Sequence, residues 1–230
     1  MQFKHGTNWS ACSARGAGRR KNSDALAVSA QGPCLAFVIA DGVGSLAASP
    51  LASETAATAA AAWVLGRGTV GIDDIRSLTT SVNDAVRTAL EGVANGQGAT
   101  TLACAMIDGG RGIVATVGDS EALAVDDEGP AHRLNELDHV PARPNMLLAW
   151  IDGTNTFEPH VIPLDPLPRR LCLVTDGIVK VLDYERIASV VRASAPGEAA
   201  RALVLMARTR GASDDVTALV VSGDIARSVA

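Results

Sequence analysis

Residues 34–42 read CLAFVIADG, an apolar run that stops at an Asp-Gly pair. The run predicts a buried strand, and the pair is a turn signal. Two further apolar runs also end at an aspartate, at Gly118-Asp119-Ser120 and at Asp176-Gly177. One such pair alone is most often just a turn, but a carboxylate at the edge of a core is costly unless it is paired or bound to a cation. If these strand ends converge, their oxygens suit Mg²⁺ or Mn²⁺.

Around this strand, runs of strands and runs of helices follow one another, which favours an α+β fold with antiparallel sheets over a βαβ winding. Strands are predicted at 24–29, 34–40, 100–107, 112–117, 121–125, 171–175 and 216–222, and helices at 49–65, 73–93, 184–194 and 197–209. Ser49 is expected to cap the first helix, with Leu51, Thr55, Ala59 and Trp63 on its apolar face. Residues 133–168 predict a loop-rich excursion with room for extra strands.

The composition limits the classes of function. The chain has 230 residues, 47% of them hydrophobic, a net charge of −5 and only 3% aromatic residues. We expect one domain over residues 1–230, with no general binding of nucleic acid or of anionic membranes. No signal peptide, membrane-length apolar run or C-x-x-C pair is visible in the sequence. We therefore expect a cytoplasmic protein without a cysteine zinc site. The sequence contains no clear signal for oligomer formation, and we expect a monomer.

Six short motifs together resemble the PP2C (PPM-type) metal-dependent serine/threonine protein phosphatases, in that family's order. They are 19–24 (RRKNSD), 37–44 (FVIADGVG), 99–101 (ATT), 117–120 (VGDS), 173–177 (LVTDG) and 213–217 (SDDVT). Each one alone is weak, but the six in sequence cover most of the chain. The resemblance implies a four-layer αββα sandwich, in which two antiparallel sheets are flanked by helix pairs and the metals lie at one end.

The resemblance also implies roles for individual residues. Asp41 would bridge two Mn²⁺ or Mg²⁺ ions, and the Gly42 carbonyl would ligate one of them. Asp176 and Asp214 would complete the second ion's ligands, and Asp24 would join the cluster through water. Asp119 would help to hold the third ion that some members bind, and Arg19 would grip the substrate phosphate with its forked donors.

The chemistry that the resemblance implies is hydrolysis of phosphoserine and phosphothreonine in proteins by a metal-bridging water of lowered pKa. The metals and Arg19 would neutralise charge on the phosphoryl oxygens. The implied partners are a phosphoprotein substrate and a cognate serine/threonine kinase. No covalent enzyme intermediate is needed, so no nucleophilic Cys or Ser is expected.

Several positions depart from the family pattern. Ser23 stands where the family has Glu, Ser45 where it has Gly, Glu121 where it has Arg, and Asp215 where it has Asn. Val43 replaces a His that some members carry, which leaves the acid for the leaving group unassigned. The segment between Asp119 and Asp176 is also shorter than in bacterial relatives, and segments of this kind often carry specificity.

Two alternatives follow. A G-D-S-type esterase would need a D-x-x-H motif near the C-terminus, and nothing of that form follows His160, the last histidine. The stronger alternative is a PP2C-like pseudophosphatase that binds a kinase or regulator without turnover. The departures favour it, whereas retention of the aspartate cluster opposes it, because without metal those carboxylates would only repel each other.

Overall fold

The computed structural model describes residues 1–32, 34–44, 46–93, 95–108, 110–140 and 142–228. The strands are β1 (Gln2–His5), β2 (Trp9–Ala14), β3 (Asp24–Gln31), β4 (Cys34–Asp41), β5 (Leu102–Asp108), β6 (Arg111–Val117), β7 (Glu121–Val125), β8 (His132–Arg133), β9 (His139–Val140), β10 (Arg143–Leu147), β11 (His160–Leu164), β12 (Arg170–Val174) and β13 (Val216–Ser222). The helices are α1 (Ser49–Arg67), α2 (Ile75–Glu91), α3 (Asp176–Val179), α4 (Tyr184–Ala193) and α5 (Pro196–Thr209), with 3₁₀ turns at Ile72–Asp74 and Gly223–Ser228.

The strands form two large antiparallel sheets and a small ribbon. One sheet has the order β11-β6-β5-β4-β3, and the other has the order β1-β2-β13-β12-β7-β8. Within the first sheet Asp24 lies directly opposite Asp41, so the strand register itself brings two of the predicted site residues together. Strands β9 and β10 pair separately, within the segment that the sequence predicts to be loop-rich.

The layers follow from the alternation of side chains along buried strands. In β4, Phe37 and Ile39 point into the cluster between the two sheets, whereas Val38 and Ala40 point into the cluster under α1 and α2. On the far side, α4 and α5 cover the outer face of the six-stranded sheet. Both faces of each sheet are therefore buried. The α+β, four-layer αββα prediction is confirmed.

Helix α1 corrects two details of the sequence prediction. Its N-cap is Ala48 rather than Ser49, whose hydroxyl instead donates to the Val43 carbonyl and accepts from the Ala99 amide. The face toward the sheet consists of Ala52, Ala56, Ala60 and their neighbours, one position beyond the predicted stripe. Small side chains let the helix lie close to β3 and β4, which explains why alanine occupies that face.

The second helical stripe is as predicted: Ile75, Leu78, Val82, Val86 and Leu90 are all buried. In its described ranges, the structure adds elements that the sequence analysis did not place. They are the single-turn helix α3, which starts at Asp176 itself, and the strands β1, β2, β8, β9, β10 and β11. Among the described residues, no helix is both long enough and apolar enough to cross a bilayer.

Candidate metal and phosphate site

The predicted site residues meet at one end of the sandwich. A cleft of about 960 Å³ is lined by Asp41, Asp119, Asp176, Asp214 and Arg19. They come from the end of β4, the turn after β6, the start of α3, and the segments before β13 and β3. Two sheets packed face to face thus bring together positions that lie almost 200 residues apart in the chain.

Asp24 and Asp41 form the inner part of the site. Asp24 is 7% exposed, and one of its oxygens, Oδ2, accepts hydrogen bonds from the hydroxyls of Thr175 (2.9 Å) and Thr217 (2.7 Å). These donors come from β13 and from the end of β12, so Asp24 links the two sheets. The Asp41 backbone is fixed by Thr101, whose hydroxyl accepts from the Asp41 amide at 3.0 Å.

Gly42 continues this rigid frame. Its amide donates to the Ser23 carbonyl at 3.1 Å, and an added Cβ would lie 2.7 Å from that same oxygen and 2.8 Å from the Ser49 carbonyl. Only glycine therefore fits after Asp41. The Asp-Gly pair is a packing requirement of the site as well as a turn signal.

The outer part of the site is an ion-pair cluster. The Lys180 ammonium lies 2.5 Å from Asp176 Oδ2 and 3.1 Å from Asp214 Oδ2. Arg19 meets the other oxygen of Asp214, with its Nε at 2.8 Å and with Nη2 also in contact. Arg19 also donates to the Gly44 carbonyl at 3.2 Å. The predicted phosphate-gripping residue thus lies in the cleft, with its fork turned toward a predicted metal ligand.

Asp119 is held by a second group of residues. It follows Gly118, whose φ of +96° is favourable only for glycine. The Gly118 amide donates to Asp138 Oδ2 at 2.8 Å, and the Asp138 amide donates back to the Gly118 carbonyl at 3.1 Å. His160 Nε2 lies 2.8 Å from the other Asp138 oxygen. Asp138 and His160 therefore fix the turn that presents Asp119.

Asp215 has a structural partner for each of its carboxylate oxygens. It is 2% exposed, and it accepts from the Gly16 amide at 2.8 Å and from the Ser23 amide at 2.7 Å. These amides flank Arg19, so one buried side chain closes both ends of the loop that carries the guanidinium. Accepting from both amides requires a side chain with two acceptor oxygens, as in a carboxylate.

The electrostatics of the cluster oppose full ionisation. Burial, followed by the charges of Asp24, Asp176, Asp119 and Asp214, raises the pKa of Asp41 well above its usual value. Burial also raises the pKa of Asp24, although the two threonine hydroxyls oppose the shift. Burial and the Asp176 charge raise the pKa of Asp119 to about 6.

Asp214 behaves in the opposite way. Burial would raise its pKa, but Arg19 and Lys180 lower it below the ordinary value. The two cations therefore favour ionisation at the outer carboxylate, whereas in the part of the chain that the structure describes neither cation forms an ion pair with Asp24 or Asp41.

The donor set fits divalent cations. Asp24 Oδ1 and Asp176 Oδ1 are buried carboxylate oxygens without a hydrogen-bond partner among the described residues, and both belong to the predicted metal site. Such atoms are costly unless a cation or proton meets them. All the side-chain donors are hard oxygens, as Mg²⁺ and Mn²⁺ prefer. Within the described ranges, however, no group of three or more His, Cys, Asp or Glu side chains is arranged so that it could hold a metal ion, so the fit rests on the chemistry of the donors.

One wall of the cleft is less polar. It includes Val43, Leu46, Leu147, Trp150 and Met146, of which Met146 is 48% exposed. Trp150 is positioned by its indole N–H, which donates to Asp152 Oδ2 at 2.8 Å. The segment after Asp119 thus supplies a wall beside the charged site, as well as core residues such as Ile151.

The sequence analysis missed Lys180, the Asp138–His160 pair and the function of Asp215 as a loop anchor. Lys180 could have been found, since it follows Asp176 by one helical turn. Glu121 is also explained: it is buried and accepts from the Tyr184 hydroxyl at 2.7 Å. The departure at Ser45 lies outside the described residues.

The family profile of protein phosphatase 2C matches residues 14–207 of this chain. The chain belongs to the protein phosphatase 2C family. Protein phosphatase 2C homolog 4 of Schizosaccharomyces pombe is 30% identical to it in an alignment of 145 positions that covers 47% of this chain and 38% of the yeast protein. The match thus spans well under half of that relative's length.

Solved structures agree with the fold. The serine/threonine phosphatase Stp1 from Staphylococcus aureus superposes with a TM-score of 0.83 at 17% identity, covering 96% of this chain and 97% of Stp1. The catalytic domain of the phosphatase PstP, solved with two manganese ions, gives 0.80 at 23% identity, covering 93% of this chain and 96% of that one. Because both sequence identities are below 25%, these two similarities show the fold alone.

Proposed function

We propose that this protein hydrolyses phosphoserine and phosphothreonine in proteins at a site that holds two divalent ions, Mn²⁺ or Mg²⁺. The observation that carries the proposal is the convergence of Asp41, Asp176 and Asp214 with Arg19 in one cleft. Within the described ranges, one buried oxygen of Asp24 and one of Asp176 have no hydrogen-bond partner there. Membership of the protein phosphatase 2C family supports the reaction class. The manganese ions of the PstP domain support the choice of metal.

In this proposal Asp41, the Gly42 carbonyl, Asp176 and Asp214 hold the two ions, and Asp119 helps to hold a third. When bound, the ions supply Lewis-acid polarisation of the phosphoryl group and a water of lowered pKa. Asp24 lies opposite Asp41 in the sheet and helps to position it, and the hydroxyls of Thr175 and Thr217 fix Asp24 by hydrogen bonds.

Arg19 supplies the phosphate contact. Its loop is already tied at Gly16 and Ser23, so only the guanidinium has to turn from Asp214 toward the cleft. A forked guanidinium matches two phosphoryl oxygens and neutralises the charge that develops on them. The mixed polar and apolar walls suit a phosphorylated peptide segment better than a small, fully charged metabolite.

We further propose that residues 1–230 act as one phosphatase domain, a monomer located in the cytoplasm, with a serine/threonine kinase as its cognate partner. These statements rest on the family resemblance and on the composition of the chain.

The test is hydrolysis of p-nitrophenyl phosphate and of a phosphothreonine peptide, each with Mn²⁺, Mg²⁺ or EDTA. We expect metal-dependent turnover that Asp41→Asn abolishes and that the exposed-site control Asp84→Asn retains. Turnover that persists in EDTA would refute the metal-dependent mechanism.

A pseudophosphatase is the second candidate, and one observation favours it: the Lys180 and Arg19 cations already neutralise Asp214. It predicts a folded protein without turnover under every metal condition above. Binding of a phosphopeptide with no hydrolysis would then identify a binding module.

A further inference from the structure

Lys180 occupies a special position among the chain's three lysines. It follows α3 directly, and its amide donates to the Asp176 carbonyl at 2.9 Å, so one helical turn places its side chain over the Asp176 carboxylate. Its ammonium contacts Asp176 Oδ2 at 2.5 Å and Asp214 Oδ2 at 3.1 Å. The bridge thus joins two carboxylates that come from different segments of the chain.

The bridge differs from an ordinary surface ion pair. Asp176 and Asp214 have side chains only 22% and 20% exposed, and the second oxygen of Asp176 is buried with no hydrogen-bond partner in the described part of the chain. Two carboxylates that converge in a partly desolvated cleft repel each other unless a cation lies between them. Lys180 supplies that cation from within the chain.

We infer that Lys180 is a resident cation that competes with divalent metal for Asp176 and Asp214. The inference rests on the proposed function, because it requires these two carboxylates to be metal ligands. The ammonium and a divalent ion repel each other and would share the same two carboxylates, so metal binding is opposed until Lys180 releases them. The chain then binds metal less tightly than the same carboxylates would without the lysine.

The Lys180 side chain has room to move away from the two carboxylates. The Lys180 side chain is 44% exposed and lies on the cleft wall, so it can turn into solvent without disturbing the core. Asp214 keeps its Arg19 contacts and its own backbone bond from Asp215 during the exchange. In the metal-free protein Lys180 therefore offsets the repulsion between Asp176 and Asp214, and metal binding replaces the ammonium with a divalent ion.

The test is calorimetric titration of Mn²⁺ into EDTA-treated, dialysed protein, which reports binding independently of activity. Lys180→Met keeps the length of the side chain and removes its charge. We expect it to bind Mn²⁺ at least tenfold more tightly than the parent, about 1.4 kcal/mol. The control Lys4→Met removes the same charge from an exposed position on β1 and should leave the affinity unchanged.

A second measurement needs no variant. Acetylation of the wild-type chain by an N-hydroxysuccinimide ester, read by mass spectrometry, should modify Lys180 faster with Mn²⁺ than with EDTA, while Lys4 stays constant. This result would support the exchange even if Lys180→Met failed to fold.

The outcomes separate the two proposals. Equal Mn²⁺ affinity in the parent and in folded Lys180→Met, or labelling of Lys180 that metal does not change, would overturn the competition and leave the phosphatase proposal standing. Absence of Mn²⁺ binding in both proteins, together with absent turnover, would overturn the metal site itself. Binding by Lys180→Met alone would support the competition in its strongest form.

Discussion

Replacing Asp215 by asparagine is expected to weaken the phosphate grip of Arg19 while leaving the metal ligands in place. The Asp215 carboxylate accepts from Gly16 at 2.8 Å and from Ser23 at 2.7 Å, on the two sides of Arg19. Asparagine offers one acceptor and one donor group, so one of the two amides would face an N–H rather than an oxygen.

The magnitude follows from the burial of these groups. A hydrogen bond to a charged acceptor contributes about 1.5–3 kcal/mol, and a buried amide left without an acceptor costs about 1–3 kcal/mol. Asp215 is 2% exposed, so water does not replace the lost acceptor. The Asp215→Asn variant should therefore lose about 2 kcal/mol of stability. Part of that loss comes from weaker ordering of the loop that carries Arg19. If this part is about 1.4 kcal/mol, the KM for the phosphopeptide rises roughly tenfold.

The assay is steady-state hydrolysis of a phosphothreonine peptide with saturating Mn²⁺, together with urea unfolding. KM should rise with a smaller change in kcat, and Mn²⁺ affinity should stay within about threefold. The control Asp224→Asn changes the same group at an exposed site paired with Arg169 and should behave as the parent. An unchanged KM in a variant that has lost stability would refute the link between Asp215 and Arg19.

Two further predictions concern packing and pH. Gly177→Ala should lower the free energy of unfolding in urea by at least ~2 kcal/mol, because the added Cβ would lie 1.9 Å from the Asp215 carbonyl oxygen. The control Gly66→Ala in α1 adds a Cβ that meets nothing within 4 Å, so it should be neutral or stabilising. Equal stability of the two variants would contradict the packing at Gly177. Metal-free protein should lose stability as pH rises from about 4 to about 6. In the folded chain the pKa of Asp119 is raised from 3.8 to about 6, and the pKa of Asp24 is also raised. The folded chain therefore keeps protons in this range that the unfolded chain releases. Thermal unfolding in EDTA should show this slope and Mn²⁺ should reduce it, whereas a flat profile in EDTA would contradict the raised pKa values of Asp119 and Asp24 in the folded chain.

The sequence was sufficient to predict the elements that carry the site. Apolar runs that stop at an aspartate mark strand ends, and the predicted bounds of β7 and β13 agree with the structure. The pairing of Asp24 with Asp41 was not predictable from composition or periodicity, because it depends on the register of β3 against β4. The family's motif order supplied the convergence that local patterns could not.

The sequence predicted α1 less well, for a physical reason. Alanine surrounds the helix on most sides, so hydrophobic periodicity hardly distinguishes one face from the next. The larger residues Leu51 and Trp63 suggested the buried face, but the close approach of the helix to the sheet selects the small residues Ala52 and Ala56 instead. In α2, where charged and apolar residues alternate in helical period, the same method succeeded.

The charge balance of the cleft is an argument for a metal-binding enzyme over a binding module. Among the described residues, the five predicted aspartates of the site are met by Arg19 and Lys180, and both of these contact the outer carboxylate Asp214. At the inner carboxylates, Asp24 and Asp41, burial and mutual repulsion raise the pKa values, and one Asp24 oxygen has no partner. A protein that only bound a partner would gain stability by replacing such a buried pair with apolar residues. Its retention is explained if a divalent ion occupies the site during function.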